Sequence, residues 1–324
     1  MYDITALGEL LIDFTPFGTS DNGQKLFEQN PGGAPVNVLA TAGNLGLKTA
    51  FIGKVGSDMH GLFLKNILEK RKIETSGLLV DDQYFTTLAF VDLNESGERT
   101  FSFCRKNGAD TMLTKEEVKV SLIENSRLFH VGSLSLTSDP AKTATLFALE
   151  KAIASKCIIS YDPNYRASLW ENETVAIKEM KSLIPFCNIM KISDEETNLL
   201  TPHKDIEAAA TYLNEQGVEI VVVTLGGKGS YIKTKEGGIY ASGFHTTVVD
   251  TTGAGDAFFG SFLFKILNSN QTFTDLTLKT LQDFALFANA CASLCIEKRG
   301  SVPAIPSYDD IEKRYSTISF TNIL

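Results

Sequence analysis

Short apolar runs alternate with longer amphipathic stretches through most of the chain. The runs Ile4 to Leu7, Ala50 to Val55, Leu128 to Gly132, Cys157 to Tyr161, Ile189 to Ile192 and Val218 to Thr224 have the length and composition of buried strands. Between them, Pro35 to Leu45, Gly61 to Lys70, Pro140 to Ser155, Val175 to Ile184 and Ile206 to Gln216 repeat apolar residues at helical intervals. Parallel strands need long crossovers, so this alternation predicts an α/β fold with a mainly parallel central sheet flanked by helices. After Val248 the pattern turns helical, over Gly255 to Leu267 and Leu276 to Ile296.

Two stretches break the rhythm. Residues 10–31 and 84–108 read as strands and turns with no helix between them, and the second has a hairpin pattern around the turn-like Asn94-Glu-Ser-Gly97. They predict a small β-sheet lid, made of 10–31 and 84–108, on an α/β core made of 1–9, 32–83 and 109–324. A solvent-facing decorative hairpin would have the same pattern. Phe85, Phe90, Phe101 and Phe103 would expose apolar area on such a sheet, and pairing two lids to cover it predicts a homodimer.

Composition narrows the class. With 43% hydrophobic and 21% charged residues in 324, the chain can bury a large core, which argues against disorder. No apolar run approaches the roughly 18 residues of a membrane span, and the N-terminus lacks a basic region before an apolar one. The five cysteines are odd in number and scattered, as expected of reduced thiols in a cytoplasmic protein. Cys291 and Cys295 stand four apart on an expected helix, a spacing open to a metal pair but read here as two small core residues, and the four histidines have no ligand-like spacing. A net charge of −9 argues against a nucleic-acid surface.

The chemistry concentrates in Asp250-Thr-Thr-Gly-Ala-Gly-Asp256, which runs from an apolar strand end into an amphipathic helix. Gly253 and Gly255 allow a tight turn and leave amide N–H groups bare, and a helix N-terminus of that kind attracts phosphate. The G-x-G-x-x-G spacing of a dinucleotide turn is missed, and no G-x-x-x-x-G-K-[ST] loop occurs. A carboxylate directly after Gly255 repels phosphate unless it serves the reaction. In phosphoryl transfer it has a role, accepting the proton of the attacking hydroxyl while the amides of Gly253, Ala254 and Gly255 hold the developing charge. The plainer alternative is that Asp256 does no more than favour the positive end of the helix dipole.

This segment, extended to Gly260, closely resembles the C-terminal signature of the PfkB, or ribokinase-like, carbohydrate kinases. Asn30-Pro-Gly-Gly-Ala-Pro-Val-Asn-Val-Leu-Ala40 resembles their N-terminal signature. Thr224-Leu-Gly-Gly-Lys-Gly-Ser230 is similar to their nucleotide-side strand and turn, and Lys191-Ile-Ser-Asp-Glu-Glu196 to their N-x-x-E element, with Ser193 in place of Asn. Glu98 to Asp110 and Asp162-Pro-Asn-Tyr-Arg-Ala-Ser-Leu-Trp170 look most like bacterial fructokinases, and the latter is shared with 2-keto-3-deoxygluconate kinases.

The resemblance implies an ATP-dependent sugar kinase of ribokinase-like fold with Asp256 as base. For the sugar it implies Asp13, Gly32, Gly33 and Asn37, while strand alternation adds Phe101 and Arg105 on one lid face, and Arg166 follows a strand. For the nucleotide it implies Lys191, Ser193, Thr224, Gly226, Gly229 and Asn289, and for Mg²⁺, through water, Glu196. Asp250, Thr252 and Gly300 match the positions of a monovalent cation, with K⁺ suited to oxygen ligands. Fructose is the expected acceptor, 2-keto-3-deoxygluconate the nearest rival, and a catalytically retired regulatory subunit the alternative outside the enzymes.

Overall fold

The computed structural model describes residues 1–93, 99–269, 271 and 275–317, with backbone alone at 92–93 and 99–101. Strands follow one another as β1 (Tyr2–Leu7), β2 (Leu11–Thr19), β3 (Lys25–Gly32), β4 (Thr49–Gly56), β5 (Glu74–Asp81), β6 (Leu88–Leu93) and β7 (Arg99–Cys104). Then come β8 (Ser126–Gly132), β9 (Ile158–Asp162), β10 (Ile189–Ser193), β11 (Ile220–Thr224), β12 (Gly229–Thr234) and β13 (Gly237–Ser242). The helices are α1 (Ala34–Asn44), α2 (Met59–Lys70), α3 (Val120–Glu124), α4 (Ala141–Ala154) and α5 (Glu173–Ser182), followed by α6 (Thr197–Leu200), α7 (Ile206–Glu215), α8 (Ala254–Asn268), α9 (Leu278–Cys295) and α10 (Tyr308–Tyr315).

Nine strands form one sheet in the order β13-β12-β11-β10-β9-β8-β1-β4-β5. From β5 to β11 every pairing is parallel, and β12 and β13 close that edge antiparallel. The period-two alternation of a strand buried on both faces is plain in β11. Ile220 and Val222 enter the core packed by α1, α2, α8 and α9, while Val221 and Val223 enter the one packed by α4, α5 and α7. The result is the three-layer α/β architecture expected from the alternation of strands and helices.

A second, four-stranded sheet, β3-β2-β6-β7, is built from the segments that lack helical periodicity. β2 runs antiparallel to β3 and parallel to β6, and β6 pairs antiparallel with β7. Its aromatic side chains hold it together, with Phe14 stacked on Phe90 at 5.0 Å and Phe27 edge-on to Phe90 at 5.7 Å. Because β1 and β8 to β11 are parallel, their carboxyl ends line one edge of the large sheet, and the loops leaving that edge carry Glu9, Leu134, Arg166, Glu196 and Gly226.

Candidate active site

Gly253 adopts φ 77°, a left-handed conformation that only glycine takes without strain, and a Cβ there would meet Ser301 Cβ at 2.5 Å. The turn launches α8, whose first three residues are Ala254, Gly255 and Asp256. Their amides belong to the helix end that has no intrahelical acceptors: that of Ala254 makes a long turn bond to the Thr251 carbonyl at 3.3 Å, and those of Gly255 and Asp256 are available to an anion. Asp256 is buried, and its Oδ2 accepts from Asn37 Nδ2 at 2.8 Å. Burial pushes its carboxyl up to about 6, with the charge of Asp162 adding to the rise and Lys191, Asn37 and Arg166 opposing it.

Lys191, on β10, is also buried and donates from Nζ to Asp162 Oδ2 at 2.7 Å. Burial opposes its charge, yet Asp162, Asp256 and Glu196 together outweigh that and hold its ammonium above the usual lysine range. A Cβ on Gly255 would lie 3.0 Å from Lys191 Nζ, so the glycine is what lets the ammonium sit against the start of α8.

Two cavities meet at this turn. The first, about 340 Å³, is lined by Glu9, Asp13, Gly33, Asn37, Arg166 and Lys191 among others, and by the whole turn from Thr251 to Asp256. The second, about 460 Å³ and more apolar, is lined by Thr224, Gly226, Gly229, Phe244, Asn289 and neighbours. Thr251, Ala254 and Gly255 belong to both walls. A group entering from one side and a group entering from the other would therefore face each other over this turn.

Asp13, Gly33, Asn37 and Arg166 line the first cavity; Gly32 supports it from behind, since a Cβ there would strike Asp13 Oδ2 at 2.2 Å. Gly33, at φ 118°, has no room for a side chain, which would meet the Glu9 carbonyl oxygen at 2.4 Å. The side chain of Phe101 lies outside the described residues, whereas Phe103 lines the first cavity. Arg105 does not line it. Its Nε donates to Asp110 Oδ2 at 2.8 Å, Nη1 to Thr137 Oγ1 at 2.8 Å and Nη2 to the Leu134 carbonyl at 2.9 Å, so it braces a wall of the cavity.

Thr224, Gly226, Gly229 and Asn289 line the second cavity, and Asn289 is fixed there by donating from Nδ2 to the carbonyls of Ala241 and Ser242, each at 3.1 Å. Lys191, expected with them, lines the first cavity instead. Ser193 and Glu196 line neither. They form a capping box in which Glu196 Oε2 accepts from Ser193 N at 2.8 Å, and Glu196 Oε1 accepts from Tyr165 N at 2.7 Å. Asp250 takes the Thr252 amide at 2.8 Å on one oxygen and the Gly300 amide at 3.0 Å on the other, tying the turn to the loop after α9.

Three participants escape a reading of the sequence. Glu9 lines the first cavity, accepts from Ala34 N at 2.8 Å, and is raised by burial to about 7. Asp162 holds Lys191, and Ser301 donates toward Asn37 Oδ1 at 3.0 Å. Asp162 stood inside a recognised segment but gave no sign of its partner. Among the described residues no group of three His, Cys, Asp or Glu could hold a metal ion, and no helix is long and apolar enough to cross a membrane.

Residues 1–307 match the model of the pfkB family of carbohydrate kinases. A probable fructokinase-5 of Arabidopsis thaliana is 39% identical over 314 residues, covering 96% of each chain. A fructokinase from Xylella fastidiosa with bound ATP superposes with a TM-score of 0.90 at 28% identity, over 98% of this chain and 99% of the other. A fructokinase from Vibrio cholerae O395 solved with fructose, ADP and calcium ion gives 0.88 at 29%, over 97% and 99%.

Proposed function

The chain belongs to the pfkB family of carbohydrate kinases, and from that premise we propose that it phosphorylates fructose to fructose 6-phosphate with ATP, using Asp256 as general base. The observation that carries the reading is a buried carboxylate in the first turn of α8, on a turn shared by two cavities. The fructose-bound and ATP-bound relatives support the choice of acceptor and donor.

In this reading the sugar occupies the first cavity, positioned by Asp13 and Asn37 with Gly32 and Gly33 admitting close approach, and by Arg166 at the rim. Phe101 and Arg105 belong to the smaller sheet and its continuation, which act as a lid that keeps water from the transferred group. The nucleotide occupies the second cavity, its adenosine against Asn289 and its phosphates against Thr224, Gly226 and Gly229. As the sugar oxygen attacks the terminal phosphorus, Asp256 takes the hydroxyl proton and the bond to the ADP oxygen breaks. The amides of Gly253, Ala254 and Gly255 stabilise the charge on the transferred oxygens, and Lys191, held by Asp162, adds its own positive charge beside them.

Mg²⁺ suits this donor set as an ion carried by the nucleotide. Both Glu196 oxygens already accept from the chain, so their remaining lone pairs would meet the ion's waters, and the ion would neutralise phosphate charge. Ser193 keeps that carboxylate in place. Asp250, Thr252 and Gly300 offer an oxygen-only surround suited to K⁺. We further place the enzyme in the cytoplasm, which its five free cysteines support, and read it as a homodimer that pairs through the smaller sheet.

Asp256→Asn should lower kcat by about 10²–10⁴-fold in a coupled assay of ADP release, the usual contribution of a general base. A loss of less than about tenfold would remove Asp256 from that role. In the same assay fructose should outrank 2-keto-3-deoxygluconate; the reverse order would make the chain a keto-acid kinase, and ADP release with neither would point to another acceptor.

A further inference from the structure

We propose that Ser301 is a positioning residue for the phosphoryl transfer, fixing the orientation of the Asn37 amide so that Asn37 presents its Nδ2 to Asp256. The proposal rests on the reading of Asp256 as base. Ser301, Asn37 and Asp256 are all buried and form a chain across three segments. Ser301 Oγ lies 3.0 Å from Asn37 Oδ1, and Asn37 Nδ2 lies 2.8 Å from Asp256 Oδ2.

An amide can sit in its socket two ways round, and the partners decide which. Asp256 as a carboxylate only accepts, so it calls for Nδ2. Once Asp256 has taken the sugar's proton, its carboxyl can donate as well, and its preference for Nδ2 weakens. Ser301 anchors the other end, donating to Oδ1 in the orientation in which Nδ2 meets Asp256. Its hydroxyl has a single proton and two acceptors in reach, Asn37 Oδ1 at 3.0 Å and the Pro31 carbonyl at 3.2 Å. Donation to Asn37 keeps Oδ1 facing away from the base, leaving one oxygen of Asp256 on Asn37 and the other for the substrate hydroxyl.

Ser301 is itself well held. The neighbouring Gly300 amide donates to Asp250, and Gly253 packs against Ser301 so closely that a Cβ would stand 2.5 Å from Ser301 Cβ. Asp250 and Asp256 flank one turn, so the contacts Asp250 to Gly300, Ser301 to Asn37 and Asn37 to Asp256 close a ring around it. The charged and titratable groups acting on Asp256 are Asp162 from β9, Lys191 from β10 and Arg166 from the loop after β9, with the Cys295 thiol of α9 sensing its charge. The Ser301 hydroxyl bonds to Asn37 and to Pro31, so its hydrogen-bonded route to Asp256 runs through Asn37.

The test is a double-mutant cycle of Ser301→Ala and Asn37→Ala in the full chain, read by kcat, by KM for each substrate and by the pH profile of kcat, with thermal melting to establish that each variant folds. Ser301→Ala should lower kcat roughly tenfold, the worth of one buried hydrogen bond, with KM for ATP unchanged and the acid limb moved to higher pH. In the Asn37→Ala background the same change should have no further effect. The proposal is overturned if Ser301→Ala leaves kcat within about twofold and the acid limb unmoved. It is equally overturned if the penalty persists in full without Asn37, which would make Ser301 a brace for Pro31. An active Asp256→Asn variant would instead sink the assignment of the base, an outcome the cycle by itself cannot produce.

Discussion

Asp256 is held where its charge is costly. Burial raises its carboxyl from the ordinary 3.8 to about 6, so the folded protein binds that proton more tightly than the unfolded chain does. Stability from this group is therefore full below about pH 4 and is lost as pH rises through 6, to a total of about 3 kcal/mol. In the proposed role catalysis has the opposite sign, because a base must be unprotonated. We expect kcat/KM to fall below about pH 6, and Asp256→Asn to melt higher than the parent by a margin that grows between pH 4 and pH 7. A margin that shrinks over that range would show that the carboxylate is stabilised in place. Glu9, raised to about 7, changes stability in the same direction and is common to both proteins, so the comparison cancels it.

At the scale of elements, the turn before α8 has the strictest demands. Gly253→Ala combines a left-handed backbone with a collision against Ser301, and should destabilise the protein by about 1–3 kcal/mol while lowering kcat. Melting temperature and turnover measure the two effects, and a fully active, equally stable variant would show that the turn adapts. The strands of the parallel sheet were readable because burial on both faces forces continuous apolar runs, as in Ile220 to Thr224. β5 was not, since an edge strand such as Glu74–Asp81 keeps polar residues along much of its length. Nor was α10, which buries Ile311 alone. The site follows the same division. Asp256 and the glycines announce themselves through local spacing, whereas the pairs Lys191–Asp162 and Ser301–Asn37 join residues 29 and 264 apart, which local pattern does not connect. Arg105 illustrates the converse: alternation placed it on the same face as Phe103, but Asp110, Thr137 and Leu134 claim its donors.

At the scale of the whole molecule, exposed apolar side chains lie on and beside the smaller sheet, where Phe17 is 62% exposed and Phe85 78%, with Leu26 and Phe27 also exposed. Phe90, by contrast, is taken up between Phe14 and Phe27. Pairing of two such sheets would cover this surface. Light scattering should give the mass of a dimer, and Phe17→Asp with Phe85→Asp should shift it toward a monomer; a monomer mass for the parent chain would end the dimer reading. Arg299 ties this sheet to the body, donating to Glu28 Oε2 at 3.1 Å and lying over the Phe17 ring, one residue from Gly300. The two cavities share Thr251, Ala254 and Gly255, and that common wall bears on the stereochemistry of the reaction. In the proposed reading, a donor in one cavity and an acceptor in the other would approach opposite sides of one phosphorus atom, so the group would cross in a single displacement with its three spectator oxygens turning over like an umbrella in wind. A terminal phosphate made chiral with oxygen isotopes would leave with its handedness inverted.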